Sequence, residues 1–388
     1  MTTRTLAGRL RDVDRDSLAI WLASRASMWV IAVATGWMFA VQGQQVVPAL
    51  TRWEQWDFVH YWGIAINGYA GDPTGVPNEA FFPGFPFLLW FGSELGLRHV
   101  LVGLIVSLVA GGIAAVALGR IAELDGGRRV GRLAVLMWVT APPAVFLAAP
   151  YTEALFLACA LPVWLAARRG HWLAAGVLTA LSCTVRVSGI FLAIAIGVHW
   201  LTTRRTADEA DETAVDRRDG RRQWRGIGWI MLPAVPLLAW SVYLEQETGD
   251  WLAWFDAQSE GWDRHFTAPW SAFDKTWEAA FEGTQSPGFE WMFRAEIVAM
   301  LIGVALTIAL VRWRRWGEAT WVGLQVVAFG TSTWYFSVPR AGLLWWPLWV
   351  ALAVVAAKHR WVLWAYLAVS VPLMSVWAAA FLTSRWAG

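Results

Sequence analysis

Long apolar runs separated by short charged ones make up most of this chain. A membrane crossing takes about 20 apolar residues. Runs of that order fall at 18–41, 100–119, 133–149, 150–167, 171–186, 187–202, 227–247, 295–311, 318–338, 341–357 and 361–382. The stretch 171–202 reads either as two tilted helices or as one span plus a re-entrant piece. The pattern predicts an all-α polytopic membrane protein, a single domain over 1–388 with about 10–12 transmembrane helices.

Composition agrees. Hydrophobic residues make up 57% and charged residues 15%, against about 25% charged in an ordinary soluble domain. A net charge of +2 gives no bulk attraction to nucleic acid. Cys159 and Cys183 both lie in apolar runs and read as small core residues, without a disulfide or metal framework. The polar start is too long for a signal peptide, so the first span is expected to stay uncleaved.

Arginine placement then sets an orientation. With a cytoplasmic N-terminus, the inner loops collect Arg4, Arg9, Arg11 and Arg15, the group from Arg120 to Arg132, Arg168 and Arg169, seven arginines between Arg204 and Arg225, then Arg312, Arg314 and Arg315. Scattered ones remain outside. This is the positive-inside bias, and it places the protein in the cell membrane with its N-terminus in the cytoplasm. Had 82–97 crossed fully, every later basic loop would flip outside. That short, proline-containing stretch is therefore expected to lie on or dip into the outer face.

Three polar segments stand out. The first outer loop, 42–98, is acidic and aromatic and is expected to hold juxtamembrane helices. The stretch 203–226 mixes both charge signs with few apolar residues and reads as a solvated cytoplasmic linker. The outer segment 248–294 carries Trp251, Trp254, Trp262, Trp270, Trp277 and Trp291. It reads as an interfacial belt or as a lid stacking on sugar or prenyl chain.

Candidate chemistry gathers on the outer side. If 53–67 is one interfacial helix, Glu54, Asp57, His60, Tyr61 and Ile64 fall near one stripe. An acid beside a histidine and a tyrosine suits proton handling; otherwise Asp57 caps or solvates a surface helix. Glu79 is a second acid of this loop. In P-Y-T-E at 150–153, Thr152 reads as an N-cap with Glu153 in the first turn, beside Tyr151. Arg186 and Arg340 sit at membrane depth, at about 2.5–3.5 kcal/mol on insertion scales. Each needs a lipid phosphate, an internal acid such as Glu153, or a snorkelling path to the surface. Arg25, within the first span, is assigned to snorkelling.

The order W-D-x-x-H-Y-x-x-I-A-x-x-G-Y (56–69), A-F-F-P-x-F-P (80–86), P-Y-T-E followed by A-L-F (150–156), T-x-R (184–186) and S-x-P-R (337–340) resembles the mannosyltransferases of the GPI mannosyltransferase II (PIG-V) type, in the GT-C superfamily of polyprenyl-phosphate-sugar glycosyltransferases. The likeness is densest at 53–90 and 150–190 and thinner after 200. Ala341 and Gly342 stand where the family continues with an aromatic residue. The resemblance implies a GT-C-like bundle and makes Asp57 the general base. It implies that Glu54, His60, Tyr61, Glu79, Tyr151, Glu153, Arg186 and Arg340 serve substrate binding.

That family chemistry is inverting. A carboxylate takes the acceptor's proton while an already anionic polyprenyl phosphate leaves, so positive charge rather than a protonating acid is needed. No cofactor is required. Asp57 with Glu79 or Glu153 could hold a hard cation, but a metal is not expected. The implied partners are a polyprenyl-phosphate-mannose donor, a lipid-linked or cell-envelope glycan acceptor and membrane lipid. Arabinose or another hexose on the same carrier would need similar residues. A noncatalytic membrane partner and a lipid-sugar transporter are the contrasting readings. The transporter would show internal symmetry with paired broken helices, and none is evident.

Overall fold

The computed structural model describes residues 11–39, 47–69, 77–210 and 226–387. Most of the expected linker at 203–226, and the parts of the first loop at 40–46 and 70–76, lie outside the described residues.

The first helix, α1 (Asp12–Met38), packs along α4 (His99–Val139). Between them come α2 (Asp57–Asn67) and α3 (Gly84–Glu94). At 11 residues, α3 reaches only about 16 Å, too short to cross a bilayer.

The element α4 is a hairpin of two helices, not one rod. Gly126 and Gly127 leave helical geometry, Gly127 with φ 76°. A Cβ on Gly131 would lie 2.7 Å from the carbonyl oxygen of Gly119. In a straight helix those residues would stand about 18 Å apart. Small residues let helix backbones approach, and here the chain folds back on itself at that contact. Trp21 of α1 fills the adjoining space, donating to the Leu108 carbonyl at 2.9 Å and stacking on Trp138.

After α4 the chain passes through a short 3-10 turn (Ala144–Leu147) into α5 (Thr152–Arg168), α6 (Trp172–Cys183) and α7 (Ser188–Ala210). The span expected at 133–149 therefore ends at Val139, where Pro142 and Pro143 cannot continue a helix. Next are α8 (Ala234–Thr248, the longer part of an apolar run from Gly226), α9 (Ala253–Trp262), α10 (Pro269–Phe281) and α11 (Pro287–Arg312). The chain closes with α12 (Trp316–Gly330), the five-residue α13 (Val338–Gly342), α14 (Trp346–Lys358) and α15 (Arg360–Leu382).

Among the described residues, five helical stretches are long and apolar enough to cross a membrane: 12–38, 99–139 (the α4 hairpin, whose arm before Gly126 is the long one), 226–248, 287–312 and 360–382. Helices 172–183, 188–203 and 346–358 are apolar but shorter, as is the 17-residue α5. Several expected spans thus end sooner than hydropathy alone suggests, because Pro, Gly and polar turns interrupt them at the end that carries the acids.

The two ends of the bundle differ in kind. At one end Arg120 grips Asp14 bidentately at 2.7 and 2.8 Å, and Arg128 meets Asp16 at 2.6 Å. Arg168 and Arg315 converge there on Asp125 and Glu318, at 3.0–3.4 Å and 2.9–3.2 Å respectively. The arginine-rich turns that hydropathy groups on one face therefore meet in space and are partnered by acids. Glu153 and Arg168 occupy opposite ends of α5, roughly 22 Å apart at 1.5 Å per residue. Arg25 does not snorkel. It is buried, lies over the Trp21 ring at 4.1 Å, and its two terminal nitrogens have no hydrogen-bond partner in the structure.

Candidate functional site

At the end away from the arginine network, four helix termini meet. The chain enters the region through a 3-10 turn (Thr51–Trp53), and Trp56 takes φ 49° before α2 begins at Asp57. The expected single helix over 53–67 is thus broken after Trp53. Glu54 leaves the stripe of Asp57 for that reason and pairs with Arg98 at 3.3 Å on the surface.

Asp57, in the first turn of α2, accepts a hydrogen bond from Arg340 Nη1 at 2.8 Å. The Nε of Arg340 donates to Glu153 Oε1, and Arg186 Nη1 reaches the same oxygen at 2.5 Å. One buried carboxylate oxygen thus serves two guanidiniums. Glu153 Oε2 is buried with no hydrogen-bond partner in the structure. Arg186 Nη1 also donates to Thr152 Oγ1 at 2.7 Å. Thr152 makes no helix cap, contrary to expectation, because α5 already begins at Thr152 with Tyr151 in the capping position; the Thr152 hydroxyl accepts from Arg186 instead.

Aromatic rings wall the cluster. The Arg340 guanidinium lies 4.8 Å from the Phe146 ring centre and 4.7 Å from that of Tyr151, and cations over ring faces are attracted by the ring quadrupole. The Tyr151 hydroxyl donates to the Gln55 carbonyl at 2.8 Å, pinning the turn before Asp57. The Tyr61 hydroxyl stands 3.5 Å from Thr152 Oγ1, a loose contact. Burial, with the Asp57 charge adding to it, raises the Tyr61 pKa well above the ordinary phenol value. Tyr61 therefore stays protonated and can donate but not act as a base.

Two features missed in the sequence position Arg340. The carboxylate of Glu296, a buried acid in α11, accepts the backbone N–H of Ser337 at 2.8 Å and of Val338 at 2.7 Å. It therefore caps the short helix that carries Arg340, with Ser337 itself at φ 67°. Arg264 donates to the Phe336 carbonyl at 3.3 Å; desolvation draws its pKa down to about 10 against the pull of Glu296 and Asp57. An acid inside the apolar run 295–311 was the available signal for Glu296, since ionisable groups in spans are seldom idle.

The loop and the arginine turn are joined directly. Gly84 N–H donates to the Thr184 carbonyl at 2.7 Å, and a Cβ on Gly84 would lie 2.7 Å from that same oxygen. The glycine of A-F-F-P-G-F-P thereby lets the loop backbone dock on T-V-R.

The structure thus brings together Asp57, Tyr61, Tyr151, Glu153, Arg186 and Arg340, sets His60 at the edge of that cluster on the same helix as Asp57, and leaves Glu54 and Glu79 elsewhere. His60 stacks on Phe81 with ring centres 4.7 Å apart. Glu79 lines a separate cavity of about 300 Å³ with Tyr69, Asn78 and Glu260. Among the described residues no group of three or more His, Cys, Asp or Glu is placed to hold a metal ion. The bonded oxygens of Asp57 and Glu153 are held by arginines instead.

Residues 39–205 match the family model described as mannosyltransferase (PIG-V). Over that segment the chain is similar to the mannosyltransferase (PIG-V) family. Curated relatives include the GPI alpha-1,6-mannosyltransferase 2 of Mus musculus, 35% identical, and that of Homo sapiens, 33% identical, each over 158 residues. The matched part is 38% of this chain and 31% of the length of those relatives. Asp57, Glu153 and Arg186 fall inside the family segment, while Arg340 and Glu296 lie beyond it.

Among solved structures, ArnT from Cupriavidus metallidurans bound to undecaprenyl phosphate is 17% identical with a TM-score of 0.48, over 94% of this chain and 75% of that one. The Archaeoglobus fulgidus oligosaccharyltransferase in the apo form is 12% identical with a TM-score of 0.46, over 95% and 56%. Those scores describe a loose likeness and carry nothing about the site.

Proposed function

We propose that this chain is an inverting membrane glycosyltransferase that moves mannose from a polyprenyl-phosphate donor to a lipid-linked or cell-envelope glycan. The observation that carries the reading is the cluster itself: one partly exposed carboxylate, Asp57, within hydrogen-bond reach of an arginine that a second, buried carboxylate also holds. The similarity of residues 39–205 to a mannosyltransferase family supports mannose as the sugar. The arginine-rich end supports a cytoplasmic N-terminus and a site at the outer face.

In this mechanism Asp57 takes the proton of the acceptor hydroxyl. The oxygen attacks the anomeric carbon, the bond from that carbon to the phosphate oxygen breaks, and the phosphate leaves with the electron pair. Configuration inverts, from a β-linked donor to an α-linked product. Arg340 and Arg186 face the leaving phosphate, for which guanidinium forks are suited. Drawing Arg340 toward phosphate would free Asp57 to act as base.

The test is transfer of radiolabelled mannose from polyprenyl-phosphate-mannose by purified protein in nanodiscs, with Asp57→Asn at matched amount. Label transferred by the natural protein and lost in the variant supports the reading. Transfer from another prenyl-phosphate sugar alone would keep the reaction class and change the sugar. Silence with all such donors would leave the noncatalytic reading standing.

A further inference from the structure

The helix α10 (Pro269–Phe281) is built the wrong way round for a helix in water. Its four large aromatics, Trp270, Phe273, Trp277 and Phe281, are exposed, Trp270 to 70%. The residues it buries are small: Ala272, Thr276, Ala279 and Ala280. Its third side carries Ser271, Asp274 and Glu278, which are exposed. At 3.6 residues per turn, the three stripes are centred roughly 90°, 120° and 150° apart. A helix lying flat at a bilayer surface beside a protein bundle needs such stripes, one each for lipid, protein and water.

The aromatic stripe continues onto a membrane-spanning helix. Arg294 of α11 lies between the two, its guanidinium 5.1 Å from the Phe281 ring centre and 5.3 Å from that of Trp291. Trp291 is itself exposed and shares a helical face with the exposed Val298, Leu301 and Ile308. Those positions recur at i, i+7, i+10 and i+17 along a helix long and apolar enough to span. The surface covered by α10's aromatics is thus continuous with the surface that α11 offers to lipid. Arg294 is satisfied locally, donating to Glu290 at 3.1 Å and to the Ala280 carbonyl at 2.9 Å.

We infer that α10 is an interfacial helix, seated through Trp270, Phe273, Trp277 and Phe281 in the headgroup and upper acyl region of the phospholipid bilayer. It has its own link to the candidate site. On its protein side the Thr276 hydroxyl accepts the backbone N–H of Tyr335 at 2.9 Å, and Lys275 lies over the Trp334 ring at 4.6 Å. The depth at which the helix rests is thereby passed to the chain just before Arg340. This inference stands on surface and packing and does not depend on the glycosyltransferase reading.

The test places a nitroxide spin label at Phe273→Cys or at Ser271→Cys in full-length protein whose Cys159 and Cys183 are replaced by alanine, reconstituted in phosphatidylcholine nanodiscs. Collision with oxygen reports lipid, and collision with a water-soluble nickel chelate reports solvent. The expected oxygen-to-nickel ratio is several-fold higher at 273 than at 271, with labels at Trp270 and Trp277 repeating the value at 273. Free access of nickel to the aromatic stripe would overturn the inference. So would low access of both reagents there, which is the mark of a covering protein or a second copy.

Discussion

Arg340 Nη1 donates to Asp57 Oδ2 at 2.8 Å, joining residues 283 positions apart in the chain. Through that bond the first polar loop and the turn before α14 become one site. Asp57 is the partly exposed partner and Arg340 the buried one. Asp57→Asn keeps the shape of the side chain and removes only its charge and basicity. Arg340 retains Glu153, so the fold should hold. Transfer is expected to fall by about 10²- to 10⁴-fold, the usual worth of a positioned general base. Initial rates alongside thermal unfolding check this. A variant that melts normally and transfers normally would remove Asp57 from the chemistry.

Glu153→Gln should act mainly on stability. Its buried oxygen accepts from both Arg186 and Arg340. An amide leaves two neighbouring cations with Asp57 as the one carboxylate among the described residues bonded to either of them, and breaking a buried ion pair from one side typically costs about 3–5 kcal/mol. The expected outcome is a clearly lowered unfolding temperature in nanodiscs, with activity lost at temperatures where the natural protein still works. The double variant Glu153→Gln with Arg186→Gln should regain part of the stability, because it removes one of the stranded charges.

These two residues also mark what the sequence could reveal. W-D and P-Y-T-E carry local signals, and hydropathy placed both beside spans, so the acids and arginines of the cluster were legible as candidates. Their mutual pairing was not, since nothing local says that Arg186 and Arg340 share one oxygen of Glu153. Glu54 was misplaced for a different reason. Helical spacing from Asp57 is a fair guide only if the helix is continuous, and the positive φ of Trp56 ends it. His60 is on the helix, but its ring is taken by Phe81. The broad helical architecture followed from apolar runs. The early ends of several helices did not, because the prolines and glycines that set them lie inside runs apolar enough to pass for spans.

Gly84→Ala tests the docking of the loop on the arginine turn. The added methyl would sit 2.7 Å from the Thr184 carbonyl oxygen, which is backbone and cannot rotate aside. The Gly84–Thr184 hydrogen bond must then lengthen or break. Overpacking of this kind costs about 1–3 kcal/mol. Arg186 lies two residues beyond Thr184, so a displaced turn should also weaken its reach to Glu153. A lowered unfolding temperature with reduced transfer is the expected pair of results. An unchanged melt would show that the loop accommodates the methyl without moving the turn.

Glu296 offers the sharpest separation of position from chemistry. It touches neither Asp57 nor Glu153, yet its carboxylate accepts the two backbone N–H groups that open α13, at 2.8 and 2.7 Å. Each such hydrogen bond is worth about 0.5–1.5 kcal/mol net. They hold a five-residue helix whose only charged side chain is Arg340. Glu296→Ala strands both donors and lets that helix drift, so transfer should drop through loss of Arg340's placement. Glu296→Gln can still accept through its amide oxygen and should restore part of the rate. If Arg340 holds the donor phosphate, the alanine variant should raise the apparent KM for donor more than that for acceptor, whereas a general loss of folded protein would lower kcat alone. Equal changes for both substrates, or no rescue by glutamine, would confine Glu296 to a purely structural part.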